Sequence, residues 1–191
     1  MASDPAHDPT VLPPDLPVPE DDGAADHLAG LGVPPFELEA TSGERVRLDR
    51  LEGRTIVYAY PRTGRPGEPE LVPGWDSIPG ARGCTPESCG FRDHHADLLA
   101  AGASAVYGLS TQDSDYQREL AERLRLPYPL LTDADLELTK ALRLPTFDAA
   151  GQTLLKRLTL VVKDRTIEYV FYPVFPPDRH AEEVLDWLGS M

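Results

Sequence analysis

The run Arg54-Thr55-Ile56-Val57-Tyr58-Ala59-Tyr60 constrains this chain more than any other segment. It is β-branched and aromatic, suited to a strand in the middle of a sheet, and Pro61 ends it. Residues 62–82 then hold four prolines and four glycines, too many for a regular element. A structureless loop of about twenty residues inside a compact domain is uncommon and usually functional. Beyond it helix and strand alternate. Thr85 as cap, with Pro86 at the first helical position, predicts a helix over 85–101 stopped by Gly102. Residues 104–110 predict a strand, 113–124 a helix, 130–131 a brief strand and 136–142 a short helix. Residues 157–163 and 166–172 predict a hairpin turning at Asp164-Arg165. The last helix spans 180–188, with Ala181, Val184, Leu185 and Leu188 spaced by three and four. A short first hairpin is expected over 36–48, turning at Ser42-Gly43. This order gives an α/β fold with a mixed central sheet flanked by helices.

Charge divides the chain. Residues 1–26 carry seven acidic side chains, six prolines and no Lys or Arg, out of a net charge of −14 for the whole chain. Such a segment buries too little apolar surface to offset its ordering entropy. The expectation is a disordered or loosely docked arm over 1–26, dispensable for folding and turnover, ahead of one domain over 27–191. The acidic balance argues against nucleic acid or an anionic membrane as partner. No stretch approaches the ~20 apolar residues that span a bilayer, so the expected location is the cytoplasm.

Only two cysteines occur, Cys84 and Cys89, in the run Gly83-Cys84-Thr85-Pro86-Glu87-Ser88-Cys89-Gly90-Phe91-Arg92-Asp93. The order of elements places Cys84 beyond the C-terminal end of the central strand, on the first turn of the next helix. That edge is where open α/β sheets bind ligands, and a helix start favours a thiolate. Free cysteines often serve as small buried hydrophobes, but a loop-to-helix corner is not a core stripe. A four-residue gap fits neither a redox Cys-x-x-Cys nor a zinc knuckle. Positions five apart on a helix have Cα atoms roughly 8.6 Å apart, and a disulfide wants about 7 Å or less. The two sulfurs can bridge only if part of the helix unwinds.

Residues 83–93 resemble the active-site run Gly-Cys-Thr-x-Glu-x-Cys-x-Phe-Arg-Asp of the peroxiredoxins of the Q type, also called bacterioferritin comigratory proteins. Weaker similarities follow in the same order at Gly108-Leu109-Ser110, Leu130-Leu131-Thr132-Asp133, Arg157-Leu158-Thr159 and residues 180–185, so the likeness covers roughly residues 30–190. The resemblance implies a thioredoxin-like fold and reduction of hydrogen peroxide or organic hydroperoxides without a cofactor or metal. It makes Cys84 the peroxidatic cysteine, Cys89 the resolving cysteine and Arg157 the cation that favours the thiolate. It also implies a thioredoxin-like or glutaredoxin-like reductant and a monomer or weak dimer. One departure stands out: the family's threonine three residues before the cysteine is Ala81 here, and a long extra segment follows Tyr60-Pro61. The substrate-contacting candidates are therefore Pro61, Thr63 and Arg82, with Thr63 or Arg82 supplying the missing donor.

Two rivals share these residues. A redox sensor or thiol-disulfide exchanger would use the same cysteines with little peroxidase activity, with Trp75 and Ile78 as anchors for a partner unless Trp75 simply packs the loop. A metal module would use Cys84, Cys89, His94 and His95. Adjacent helical residues diverge by about 100°, so His94 and His95 cannot both face Cys84. His180 is expected only to start the last helix.

Overall fold

A computed structural model describes residues 8–191; Asp4 and Pro5 of the expected arm lie outside the described residues. The strands are β1 (Leu38–Ala40), β2 (Arg45–Val46), β3 (Arg54–Ala59), β4 (Ala103–Ser110), β5 (Leu130–Thr132), β6 (Thr146–Ala149), β7 (Gln152–Leu155), β8 (Leu158–Lys163) and β9 (Thr166–Phe171). The helices are α1 (Cys84–Asp93), α2 (His95–Ala100), α3 (Ser114–Leu124), α4 (Glu137–Leu142) and α5 (His180–Gly189). A seven-stranded sheet runs in the order β2-β1-β5-β4-β3-β8-β9. β3, β4 and β5 are parallel, and β8 lies antiparallel against the other side of β3. The expected mixed α/β sheet is what forms.

Alternation along β3 builds two layers of core. Ile56, Tyr58 and Tyr60 face Phe91, Leu98, Leu120, Val184 and Leu188, whereas Val57 and Ala59 face Leu28, Leu38, Leu138 and Leu142. The Tyr58 ring stacks on Phe91 with centroids 4.3 Å apart. Its hydroxyl donates to the Ser88 hydroxyl at 3.0 Å, which pins α1 to the central strand. Gly108 leaves the room this needs: a Cβ there would come within 2.5 Å of Leu130 Cδ2 and 3.0 Å of the Tyr58 ring.

Three expectations change. The helix expected over 85–101 is two helices, broken at His94, whose backbone stands at φ −98° and ψ 6°. Its cap is Gly83 and not Thr85. At φ +109° Gly83 takes a conformation closed to most side chains, and a Cβ there would meet Pro177 Cγ at 2.4 Å and Leu12 Cδ1 at 3.0 Å. An additional hairpin, β6 with β7, forms apart from the main sheet. It packs Ala149 and Leu154 against Trp75 and Ala81, so the loop over 62–82 has a small core of its own. Its one regular turn is a 3₁₀ turn at Trp75–Ser77.

Residues 8–26 lie along the domain. Ala25 joins the core beside Leu28. The Asp22 carboxylate accepts from Lys156 Nζ at 2.8 Å and from the Tyr172 hydroxyl at 2.7 Å, and these two donors hold it well below the usual carboxylate range.

Candidate active site

The site forms where the C-terminal end of β3, the start of α1 and the start of β8 meet. In the antiparallel register Ala59 opposes Leu158, so Arg157 stands one step further on, opposite Tyr60. Its guanidinium therefore reaches over the strand end to the first turn of α1. Nη2 donates to Cys84 Sγ at 3.2 Å and to the carbonyls of Gly80, Ala81 and Arg82 at 3.1–3.3 Å. Nη1 pairs with Glu87 Oε2, and both side chains are almost wholly buried. The backbone N–H of Arg62 also pulls the thiol down.

Cys84 is 3% exposed. Burial pushes its thiol up, Arg157 pulls it down, Glu87 pushes it up again, and the net direction is upward. The helix-start thiolate expected from sequence is thus opposed by desolvation, and Arg157 is the main counterweight. Burial also pushes Glu87 up, against the pull of Arg157 and His180. A narrow cavity of about 40 Å³ borders the sulfur, lined among others by Thr63, Thr85, Tyr116, Trp75 and Pro9. One water needs roughly 10–15 Å³ on this measure, so a molecule the size of hydrogen peroxide fits. A free thiol that borders a small cavity, donates to the Ala81 carbonyl at 3.6 Å and accepts from a guanidinium at 3.2 Å is equipped to deliver sulfur to an electrophilic oxygen.

Comparison with known proteins agrees with this chemistry. Residues 28–185 match the Redoxin family. The chain is 32% identical over 164 residues to a chloroplastic peroxiredoxin Q of Sedum lineare, covering 85% of this chain and 78% of the relative. The corresponding protein of Gentiana triflora is 32% identical over 161 residues, covering 83% and 65%. Peroxidoxin BcpB from Mycobacterium tuberculosis superposes with a TM-score of 0.67 at 29% identity, over 86% of this chain and 99% of that one. The chain is a peroxiredoxin of the Q type.

This peroxiredoxin is a thiol-dependent peroxidase on a thioredoxin-like fold, and the thiol-exchange rival is not favoured. Trp75, offered above as a partner anchor, is 6% exposed and stands 6.1 Å from Phe147, centroid to centroid. Cys89 sits half-buried on the same intact helix as Cys84, and neither sulfur is bonded. Burial pushes the Cys89 thiol up, with Arg92 opposing.

Of the substrate-contacting candidates, Thr63 lies in the cavity wall, but its hydroxyl donates to Gln112 Oε1 at 3.2 Å. Pro61 is buried outside that wall, its carbonyl accepting from Ser110 Oγ at 3.4 Å. Arg82 also lines the cavity, with its guanidinium tied to the arm and the loop: Nη2 donates to the carbonyls of Asp8 at 2.6 Å and Val11 at 3.1 Å, Nη1 pairs with Asp76 at 3.3 Å, and Nε has no partner among the described residues. The arm is thereby tied to the loop that ends at Cys84.

His94 pairs with Asp97 and Glu182, and His95 packs against Tyr128. Among the described residues no group of three or more His, Cys, Asp or Glu could hold a metal, and no helix is long and apolar enough to cross a membrane.

Sequence reasoning left Glu87, Thr85 and His180 without their roles. Glu87 belongs to the Cys-Thr-x-Glu run, and its spacing of three from Cys84 was the available signal. His180 does start α5, but it is buried, with Nε2 2.7 Å from Thr159 Oγ1 and Nδ1 2.9 Å from Glu183. No pattern in the sequence marks that pairing.

Proposed function

We propose that Cys84 is the sulfur that attacks the hydroperoxide, Cys89 the sulfur that resolves the product, and Arg157 the cation that stabilises the thiolate and the developing charge. In the first step the Cys84 thiolate attacks the terminal oxygen of R–O–O–H. The S–O bond forms, the O–O bond breaks, and the sulfur gives up two electrons. The leaving oxygen takes up a proton and departs as alcohol or water. In the second step the Cys89 thiol condenses with the Cys84 sulfenic acid to a disulfide, and water leaves. A dithiol reductant of thioredoxin-like or glutaredoxin-like type restores both thiols.

The observation that carries this reading is the Arg157 Nη2 to Cys84 Sγ contact of 3.2 Å beside a peroxide-sized cavity. Donors fixed before reaction at the place where charge develops need no reorganisation. Thr63 contributes as cavity wall, and Pro61 and Arg82 as supports of the surrounding loops. Two free cysteines fit a reducing, cytoplasmic setting, and the working assembly is a monomer or weak dimer. The test is one equivalent of hydrogen peroxide added to Cys89→Ser. A dimedone-type probe should then label Cys84. In the reciprocal Cys84→Ser variant, label on Cys89 would reverse the roles.

A further inference from the structure

The wall of the cavity beside Cys84 includes a residue with an unexplained buried group. Thr85, the second residue of α1, is 2% exposed and lines the same cavity as the sulfur. Its Oγ1 is buried and has no hydrogen-bond partner among the described residues. A buried hydroxyl without a partner is uncommon and costly, so its retention beside a reactive sulfur requires a reason. It is not a helix cap, since Gly83 occupies that position.

Of the other hydroxyls of the wall, Thr63 donates to Gln112, and the Tyr116 ring lies under the guanidiniums of Arg62 and Arg65, at 5.4 and 4.2 Å from its centroid. Ala81 has no hydroxyl. The donor that reaches the sulfur, Arg157, is held by the protein itself through Glu87 and the carbonyls of Gly80, Ala81 and Arg82. A hydroperoxide has two oxygens, and the one not under attack gathers negative charge as the O–O bond breaks.

Resting on the assignment of Cys84 as the attacking sulfur, we propose that the Thr85 hydroxyl is the donor that binds the hydroperoxide in this cavity, one residue after the cysteine. It pairs with peroxide oxygen when substrate enters, which ends its isolation. It keeps its proton throughout, and the proton taken up by the leaving oxygen comes from solvent.

The test compares Thr85→Val, which keeps the shape and removes the hydroxyl, with Thr85→Ser, which restores it. Two rates are read for Cys84: oxidation by hydrogen peroxide and alkylation by iodoacetamide, which has no O–O bond to polarise. Thr85→Val should slow oxidation about a hundredfold and leave alkylation and its pH midpoint unchanged, while Thr85→Ser recovers most of the oxidation rate. Wild-type oxidation in Thr85→Val would overturn the proposal. Equal slowing of both reactions would do the same, as would failure of Thr85→Ser to recover. Should Thr85→Val fail to fold, the same pair of rates in Thr85→Ala decides. Sulfenic acid trapping on Cys84 in the parent protein, run alongside, separates a wrong Thr85 from a wrong Cys84.

Discussion

Arg157 donates to Cys84 Sγ at 3.2 Å from seventy-three residues further along the chain. The antiparallel pairing of β3 with β8 and the return of the 62–82 loop to the start of α1 close that separation. The same guanidinium also gathers three successive carbonyls ahead of Cys84, so one side chain both shapes the turn and charges the pocket.

Replacing Arg157 with Gln should therefore act twice. Loss of a preorganised donor slows Cys84 oxidation about a hundredfold. Arg157 pulls the thiol down, so its removal moves the pH midpoint of Cys84 alkylation upward, and at neutral pH the thiolate fraction falls. An unchanged midpoint in a folded Arg157→Gln protein would refute the electrostatic role.

The sign reverses for Glu87. Its carboxylate pushes Cys84 up, so Glu87→Gln should move the alkylation midpoint down. The same change breaks a buried ion pair, and stripping one partner from such a pair costs about 3 kcal/mol. Urea denaturation should thus show a weaker protein with a more reactive thiol. A midpoint that rises would contradict the assignment.

Disulfide formation should unwind the start of α1, because an intact helix holds positions five apart at roughly 8.6 Å between Cα atoms. The bond from the Glu87 N–H to the Gly83 carbonyl, 3.0 Å in the reduced protein, is the first to go. Hydrogen exchange of amides 87–90 should accelerate on oxidation. Full protection in a protein shown to be disulfide-bonded would exclude the unwinding.

The arm gives a fourth expectation, opposite to the one its composition suggested. Pro9 lines the Cys84 cavity, Leu12 lies against Gly83, and Arg82 holds the carbonyls of Asp8 and Val11. Removing residues 1–19 should speed labelling of Cys84 by a bulky maleimide severalfold, with a smaller effect on iodoacetamide. Identical labelling with and without the arm would restore the view that it is dispensable.

Much of the scaffold was legible because its signals are local. The β-branched run makes β3, the Asp113 carboxylate caps α3 by accepting from the Tyr116 N–H at 2.7 Å, and Asp164-Arg165 turns β8 into β9 with φ of 49° and 67°. The break at His94 was not, since neither Gly nor Pro stands there and the packing of α1 and α2 on α5 decides it. Thr85 satisfied the rule for a cap, but Gly83 alone tolerates the close approach of Pro177 and Leu12. The contacts of the arm, read from composition as disordered or loosely docked, were not legible for a related reason. Composition measures how much apolar surface a segment can bury, whereas this one also offers backbone carbonyls to a single arginine and one carboxylate to Lys156 and Tyr172.

The inward packing of Trp75 has a use for spectroscopy. The sequence holds two tryptophans: Trp75 in the cavity wall, and Trp187 on α5, stacked on Tyr169 with centroids 5.0 Å apart. One emitter shares a cavity wall with Cys84 and the other stands on a helix that packs against the outermost strand. A fluorescence change on adding peroxide that vanishes in Trp75→Phe and survives in Trp187→Phe times the events at Cys84 without any introduced label.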